Sequence, residues 1–296
     1  MARATNHVLI IGGTGFIGER LVKQVAVTHT TAVVHSAPLQ NAAPSPALYY
    51  CIDATKKSPT LRTLIAGSDT IVLLSPPAPR LVDYVLASTP QGEGKHLVYA
   101  STLLVYRGGE EPQSEIDSLS PVTPYEVQKL AEEKKFFHFA KKAKQTPVTI
   151  LRLGNVYGTP KNKGVVGRMM HALFTEAPLT IAGDGTQTRD FVYVDDVARI
   201  MARLIERQQE KAIEVLNVST GKGTTLTEAL ALVESVAGCP VRHVYGPRTT
   251  ETLSIIGNPL KLRRTLGDWP RTPLAKGLKD MLGHFQRFYQ RTLRIV

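Results

Sequence analysis

The stretch that decides the fold lies at residues 12–18 and reads Gly12-Gly13-Thr14-Gly15-Phe16-Ile17-Gly18. It follows the apolar run at 8–11 and opens a helical pattern that continues to about residue 27. Glycines at this spacing let the backbone turn tightly and approach a pyrophosphate, and the amino end of the helix favours negative charge. A glycine triplet alone is weak evidence. With a strand before it and a helix after it, the stretch predicts a loop that binds a dinucleotide.

Apolar, β-branched runs alternate with helical patterns through the first half of the chain, at 8–11, 31–35, 70–74, 97–100 and 148–153. Strands separated by helical stretches predict parallel βαβ units with right-handed crossovers. We therefore expect an α/β fold, a doubly wound parallel sheet of the Rossmann type.

The pattern loosens beyond about residue 156, where short helices at 165–175, 226–237 and 273–290 predict a smaller C-terminal α+β domain that binds the substrate. The predicted dinucleotide-binding domain spans 1–155, with a returning segment near 186–220. The predicted substrate-binding domain occupies mainly 156–296. The proline-containing stretch at 37–46 is predicted to be a surface loop.

The chain has 36 Lys and Arg against 25 Asp and Glu, a formal charge of +11. The basic residues are scattered, so a small ligand carrying phosphates is favoured over nucleic acid. No apolar run approaches the ~20 residues of a membrane helix and no signal peptide is recognised, so a cytoplasmic protein is expected. Cys51 and Cys239 form no disulfide framework or metal pattern, and we expect both to be buried thiols without a metal.

Dinucleotide-binding loops of this kind are usually followed, about 20 residues on, by an acid that holds the ribose hydroxyls of NAD. Here that position is occupied by His35 and Ser36. These side chains do not repel a 2'-phosphate, so the sequence favours NADP over NAD. The alternative is that His35 is only a surface residue and the ribose is held by other groups.

A second group of polar residues carries acid/base chemistry. Tyr125 and Lys129 are four residues apart on a predicted helix and lie on one face of it. A nearby ammonium favours the phenolate of a tyrosine, which then exchanges a proton near neutral pH. Thr102 ends a predicted strand, where its hydroxyl could share a substrate oxygen with Tyr125. Alone, the tyrosine and lysine pair is equally consistent with a solvated helix face.

Together these motifs resemble the extended short-chain dehydrogenases/reductases of the NAD-dependent epimerase/dehydratase family, most of which act on nucleotide sugars. The resemblance implies that Gly12 to Gly18 form the cofactor loop and that Asp53 contacts adenine. It also implies that Thr102, Tyr125 and Lys129 are the catalytic residues. Lys129 would in addition hold the nicotinamide ribose.

The resemblance extends to the second half of the chain. Asn155, in a segment RLGNVYG, would contact the substrate, and Arg189, in TRDFVYVDDVA, would bind a nucleotide diphosphate together with Arg248. Two separate guanidiniums suit a diphosphate because each makes forked hydrogen bonds. Family members commonly form homodimers through two helices per subunit, one of them the helix of Tyr125, so a homodimer is expected.

Departures from the family patterns narrow the reaction. The 4,6-dehydratases carry Asp-Glu directly after the catalytic threonine, whereas this chain has Leu103 and Leu104, which cannot exchange protons. The main expectation is an NADP-dependent ketoreductase of a nucleotide-linked keto sugar. The alternatives are a nucleotide-sugar 4-epimerase with tightly held NAD, a reductase of a non-sugar ketone, and a non-catalytic dinucleotide sensor.

Overall fold

The structure is a computed structural model of the 296-residue chain. It describes residues 6–36, 45–54, 56–91, 95–143, 145–175, 177–207, 209–248, 253–269 and 271–293. Most of the loop predicted at 37–46 lies outside the described residues. The chain divides into two compact units, which are described separately. Unit 1 comprises Met1–Thr102, Pro124–Arg152 and Ala198–Leu216, and unit 2 comprises Leu103–Thr123, Leu153–Val197 and Asn217–Val296.

The first elements in chain order are β1 (His7–Ile11), α1 (Gly18–Val25), β2 (Thr30–His35), β3 (Leu48–Cys51), α2 (Pro59–Gly67), β4 (Thr70–Leu73), α3 (Pro79–Ser88), β5 (His96–Thr102), α4 (Pro124–Lys142) and β6 (Val148–Leu153). They are followed by β7 (Asn155–Tyr157), α5 (Val165–Ala172), β8 (Leu179–Ala182), β9 (Thr188–Tyr193), α6 (Val194–Glu206), β10 (Ile213–Val218), β11 (Gly223–Thr225), α7 (Leu226–Ala237), β12 (His243–Gly246), β13 (Ser254–Ile255), α8 (Leu260–Leu266) and α9 (Leu274–Leu293).

A seven-stranded sheet in the order β10-β6-β5-β4-β1-β2-β3 forms the centre of unit 1. The strands from β5 to β3 in this order pair in parallel, with Ile10 opposite Val33 on one side and Val72 on the other. Apart from the edge strand β3, whose residues are partly or fully exposed, most residues of these strands are buried, as expected when helices cover both faces of a parallel sheet. The sequence prediction of a doubly wound α/β sheet is therefore confirmed.

Unit 2 is built around β9, which pairs in parallel with β7 and β13 and antiparallel with β11. A second, two-stranded sheet pairs β8 with β12. Helix α7 begins with a capping box between Thr225 and Glu228 and ends at Gly238 in the left-handed conformation. Its apolar face packs on α5 and α9 in a core that includes Met169, Val233 and Phe285.

Three features differ from the sequence expectations. Strands β3 and β10 complete the sheet although their short patterns do not stand out among the predicted runs. Residues 103–123 precede the predicted boundary at 155, yet they group with unit 2, where Tyr106 and Leu103 pack on Ile255. Both cysteines are exposed rather than buried: Cys51 ends the edge strand β3 and Cys239 follows the end of α7. Within the described ranges, no helix has the length and apolar character needed to span a membrane.

Candidate active site

The loop between β1 and α1 requires glycine at two positions. Gly12 has a φ of +88°, and a Cβ there would lie 3.2 Å from the carbonyl carbon of Leu74. A Cβ on Gly18 would overlap the carbonyl oxygen of Gly12, so α1 begins this close to the loop only with glycine. The amide of Gly12 donates to the Val34 oxygen at 3.0 Å. The loop is thus a tight turn tied to the neighbouring strand.

A cavity of about 410 Å³ lies beside this loop, at the carboxyl ends of β1, β2 and β4. The sheet order reverses here, because β1 has β2 on one side and β4 on the other, and such positions bind ligands in open α/β folds. The cavity is lined by five of the predicted cofactor residues: Gly12, Gly15, His35, Ser36 and Asp53. Of the other predicted cofactor residues, Phe16, Ile17 and Gly18 lie in the turn and at the start of α1, and Tyr125 and Lys129 lie on α4.

The described lining of this cavity is not basic. His35 is buried at the end of β2, with its ring 6.3 Å from that of Tyr49. Asp53 is half-exposed and pairs with Lys56 at 3.3 Å. Among the described residues that line the cavity there is no lysine or arginine. These residues fit a dinucleotide with free ribose hydroxyls better than one with a 2'-phosphate, because a guanidinium is the usual partner of that phosphate.

The three predicted catalytic residues all belong to unit 1. Thr102 is the last residue of β5 and is buried. Tyr125 is the second residue of α4 and keeps 44% of its surface exposed, whereas Lys129, one turn later, keeps only 2%. The tyrosine is therefore open to a substrate, while the lysine is enclosed by protein.

The buried ammonium of Lys129 has three acceptors. It donates to the Ala100 oxygen at 2.9 Å, to the Tyr99 hydroxyl at 3.1 Å and to the Ser75 oxygen at 3.2 Å. It also lies 4.7 Å from the centre of the Tyr99 ring. The ammonium carries three protons, so these contacts account for its whole donor capacity and hold it at the carboxyl ends of β4 and β5.

The electrostatics of the pair differ from the sequence expectation. Desolvation lowers the pKa of Lys129 to about 8, and the carboxylates of Glu132 and Glu133 oppose this shift. Desolvation also raises the pKa of Tyr125, with smaller contributions from Glu132 and Glu126. Lys129 was expected to lower the pKa of Tyr125, but nearby carboxylates and the loss of water shift it in the opposite direction.

Three acids of α4 are buried, Glu126, Glu132 and Glu133, and sequence reasoning missed all three. Glu133 binds the Arg152 guanidinium, with 2.8 Å between Oε2 and Nη2, and also accepts from the Ser101 hydroxyl. Glu132 accepts from the Tyr99 hydroxyl at 2.5 Å. The signal was the spacing of these acids: positions 126, 129, 132, 133, 136 and 140 follow the period of a buried helix face, yet the first four carry charged side chains.

Leu103 and Leu104 follow Thr102 directly. Leu103 is fully buried in a small apolar cluster with Tyr106 and Ile255, and Leu104 packs against that cluster. Neither position offers a proton donor or acceptor side chain. In the part of the chain that the structure describes, no group of three or more His, Cys, Asp or Glu side chains could hold a metal ion.

The predicted substrate-binding residues lie in unit 2. Asn155 begins β7 and is half-buried. Arg189, on β9, is 5% exposed and donates to the Leu253 oxygen at 3.2 Å. Arg248 is largely exposed and donates to the Asp184 carboxylate at 2.7 Å. The two guanidiniums therefore have separate partners, and residues 249–251, next to Arg248, lie outside the described residues.

Comparisons with known proteins indicate similarity to one enzyme family. A model of the NAD dependent epimerase/dehydratase family matches residues 78–219. The uncharacterized UDP-glucose epimerase YtcB of Bacillus subtilis (strain 168) is 30% identical over 195 residues, 65% of this chain and 61% of the relative. A UDP-glucuronate 4-epimerase of Thermodesulfobacterium geofontis (strain OPF15) is 26% identical over 62% of this chain and 57% of the relative.

A solved structure covers more of the molecule. MoeE5 in complex with UDP-glucuronic acid and NAD superposes with a TM-score of 0.85 at 27% identity, over 95% of this chain and 99% of that chain. The matches to the first curated relatives span only 56% to 61% of the length of those relatives.

Proposed function

We propose that the chain is a member of the NAD-dependent epimerase/dehydratase family of extended short-chain dehydrogenases/reductases, to which it is similar, and that it is an NAD-dependent 4-epimerase of a UDP-sugar. The observation that carries the proposal is the set of groups at the end of β5 and the start of α4. Thr102 supplies a hydroxyl and Tyr125 supplies an acid/base, whereas the apolar Leu103 and Leu104 supply no group that exchanges protons. This set suits reversible oxidation at one carbinol carbon and lacks the acids that a dehydration would need.

The relatives favour epimerisation over reduction. The names of YtcB and the Thermodesulfobacterium protein describe a UDP-glucose epimerase and a UDP-glucuronate 4-epimerase. The ketoreductase expected from the sequence has no support among them. The epimerase, first held as the alternative, therefore replaces it as the main proposal.

The same comparison supports NAD over the NADP favoured by the sequence. MoeE5 binds NAD, and the cavity next to Gly12 offers no described lysine or arginine to a 2'-phosphate. Its lining includes the carboxylate of Asp53, which would repel a phosphate.

Each group has a defined task in the proposed reaction. Bound NAD would accept the hydride from C4 of the sugar and return it to the opposite face. Tyr125 in its phenolate form would accept the proton of the C4 hydroxyl as the hydride leaves C4, which gives a 4-keto sugar and a neutral phenol, and the phenol would return that proton to the oxygen when the hydride returns. Thr102 donates a hydrogen bond to the same oxygen. Lys129 contributes its positive charge one turn from Tyr125. To hold the nicotinamide ribose as well, as the resemblance implies, its ammonium would exchange one of its three present acceptors for a ribose hydroxyl.

The nucleotide part of the substrate is assigned to unit 2. Arg189 and Arg248 would each donate to a diphosphate oxygen, with Arg248 exchanging its exposed partner Asp184 for the phosphate. Asn155 would contact the sugar.

The expected homodimer stays a prediction. The exposed side of α4 carries Lys134, Lys141 and Lys142, so contact between two copies of this face should weaken at low salt.

The experiment is incubation of the purified protein with UDP-glucose and, separately, UDP-glucuronic acid, with NAD present and the sugars resolved by chromatography. We expect the 4-epimer to form with no net change in absorbance at 340 nm. Net consumption of NADPH with a nucleotide keto sugar, without epimer formation, would instead establish a ketoreductase.

Replacement of the acid/base tests the assignment within the protein. Tyr125→Phe should lower the rate by about 10²-fold to 10⁴-fold and leave NAD binding nearly intact. Tyr84→Phe is the matched control, because Tyr84 loses the same hydroxyl but bonds only to Ser58. If both variants retain full activity, Tyr125 is not the acid/base.

A further inference from the structure

Glu132 is a buried carboxylate without a task in the reaction described above. It is 1% exposed on the face of α4 that packs on the sheet. One oxygen accepts from the Tyr99 hydroxyl at 2.5 Å and the other from the amide of Ala78 at 2.6 Å. A carboxylate in such a place is costly unless it compensates another charge.

The charge closest to it is the ammonium of Lys129. The distance from Nζ to Oε2 of Glu132 is 4.0 Å, and the Tyr99 hydroxyl bridges the two groups by accepting from the lysine and donating to the glutamate. Burial and the neighbouring carboxylate raise the pKa of Tyr99 far above its usual value, so this hydroxyl stays neutral and keeps its proton. The three groups form one hydrogen-bonded chain in unit 1.

A second buried acid of α4 does not have this role. Glu133 is paired through both oxygens with Arg152, and it also accepts from Ser101. Its charge is therefore matched by a guanidinium. The other two acceptors of Lys129 are neutral carbonyls, from Ser75 and Ala100. Among the described residues, Glu132 and Glu133 are the charged groups that act on Lys129, and only Glu132 has no other cation.

We propose that Glu132 is a positioning residue that keeps Lys129 charged and holds it, through Tyr99, at the end of β5. The proposal rests on the proposed function for its catalytic meaning, because Lys129 is useful there only as a cation. Without Glu132 the buried ammonium would face carbonyls alone and would give up its proton at lower pH. Without the nearby negative charge of Glu132, the phenol of Tyr125 would also lose its proton at lower pH.

The first test is direct and needs no substrate. In protein labelled with ¹³C-lysine, the Cε signal of Lys129 is identified by its loss in Lys129→Arg and followed against pH by NMR. The wild-type midpoint is expected at about 8, and Glu132→Gln should lower it by about one pH unit. Glu132→Asp, which keeps the negative charge, should have a Lys129 midpoint close to that of the wild type. An unchanged midpoint in Glu132→Gln overturns the proposal.

Glu214→Gln is the matched control, because Glu214 is also a buried acid of unit 1 but pairs with Arg207. Its removal should leave the Lys129 midpoint unchanged. A shift as large as that of Glu132→Gln would assign the effect to general loosening of the unit and overturn the proposal.

The second test is the pH profile of epimerisation. Because Glu132→Gln lowers the midpoints of both Lys129 and Tyr125, both limbs of the profile should move to lower pH, whereas a merely structural defect lowers the rate without moving the limbs. If the wild-type protein shows no epimerisation but Glu132→Gln lowers the Lys129 midpoint, the proposed function is wrong and the role of Glu132 stands. If the wild-type protein epimerises a UDP-sugar but Glu132→Gln leaves the Lys129 midpoint unchanged, the proposed function stands and the role of Glu132 is wrong.

A third variant covers the case in which Glu132→Gln does not fold. If the defect is an uncompensated buried ammonium, then Lys129→Met added to Glu132→Gln should restore folding, measured by urea denaturation. A double variant no more stable than Glu132→Gln alone would overturn the proposal.

Discussion

The two units bury carboxylates in different ways. In unit 1, Glu132 and Glu133 of α4 face cations, Lys129 and Arg152. In unit 2, the buried Asp190 of β9 accepts instead from backbone amides, Thr220 at 2.8 Å and Gly221 at 2.9 Å, and from the Thr220 hydroxyl. Fixed amide dipoles cannot lose a proton, whereas an ammonium can.

The comparison distinguishes a site in unit 1 that contains a titrating cation from a carboxylate in unit 2 that stabilises the fold. In unit 1, Glu132 acts on a lysine that can lose its proton, whereas Glu133 compensates an arginine that stays charged. The carboxylate of unit 2 ties the turn after β10 to β9, and its partners are the same at every pH at which it is ionised. The predictions below test this difference, from the largest expected effect to the smallest.

Arg152→Ala should cause the largest loss of stability. It leaves the fully buried Glu133 without its cation, and such losses cost about 3 to 5 kcal/mol in the free energy of unfolding. Urea denaturation measures it. Adding Glu133→Leu should return much of the loss, because the orphaned charge is then removed as well. If the double variant is less stable than Arg152→Ala, the pair is not a compensated charge.

Unit 1 should also respond to pH through His96, at the start of β5. Burial lowers the pKa of His96 to about 4, so the unfolded chain takes up its proton first as the pH falls. This contribution to stability is complete above pH 6.5 and falls by about 3 kcal/mol between pH 6.5 and 4. Urea denaturation across this range should show the decline, and His96→Gln should flatten it. An equal slope in both proteins would contradict the assignment.

Asp190→Asn should have a smaller effect. The amide keeps one acceptor oxygen, but its NH₂ group cannot accept from a second backbone amide, so about 2 kcal/mol should be lost. Urea denaturation at pH 8 measures the loss, and an unchanged midpoint there would show that the carboxylate does not hold this turn.

Arg248→Ala should be the mildest change for the fold. Its partner Asp184 is exposed, and an exposed ion pair contributes little because water and salt screen it. The urea midpoint should stay within error, while the KM for a UDP-sugar should rise about tenfold through the lost phosphate contact. A shifted midpoint with unchanged KM would make Arg248 a structural residue.

Much of the fold could be predicted because its signals are local. The run at 148–153 corresponds to β6 without a change of boundary, and the glycine spacing at 12–18 predicted the turn between β1 and α1. The exposed Cys51 could not be predicted, because its exposure depends on β3 being the edge strand of the sheet. Residues 103–123 were placed by their order along the chain, but their grouping follows contacts with residues far along it.

The candidate site divides in the same way. Residue types and spacings along the chain determined the glycine loop, the Thr102, Tyr125 and Lys129 set and the apolar Leu103 and Leu104, because backbone conformation and proton exchange depend on the residue itself. Tertiary structure alone decided the charge environment. The pKa of Tyr125 is raised and Lys129 has Glu132 as its counter-ion because burial strips water from groups that distant parts of the chain bring together.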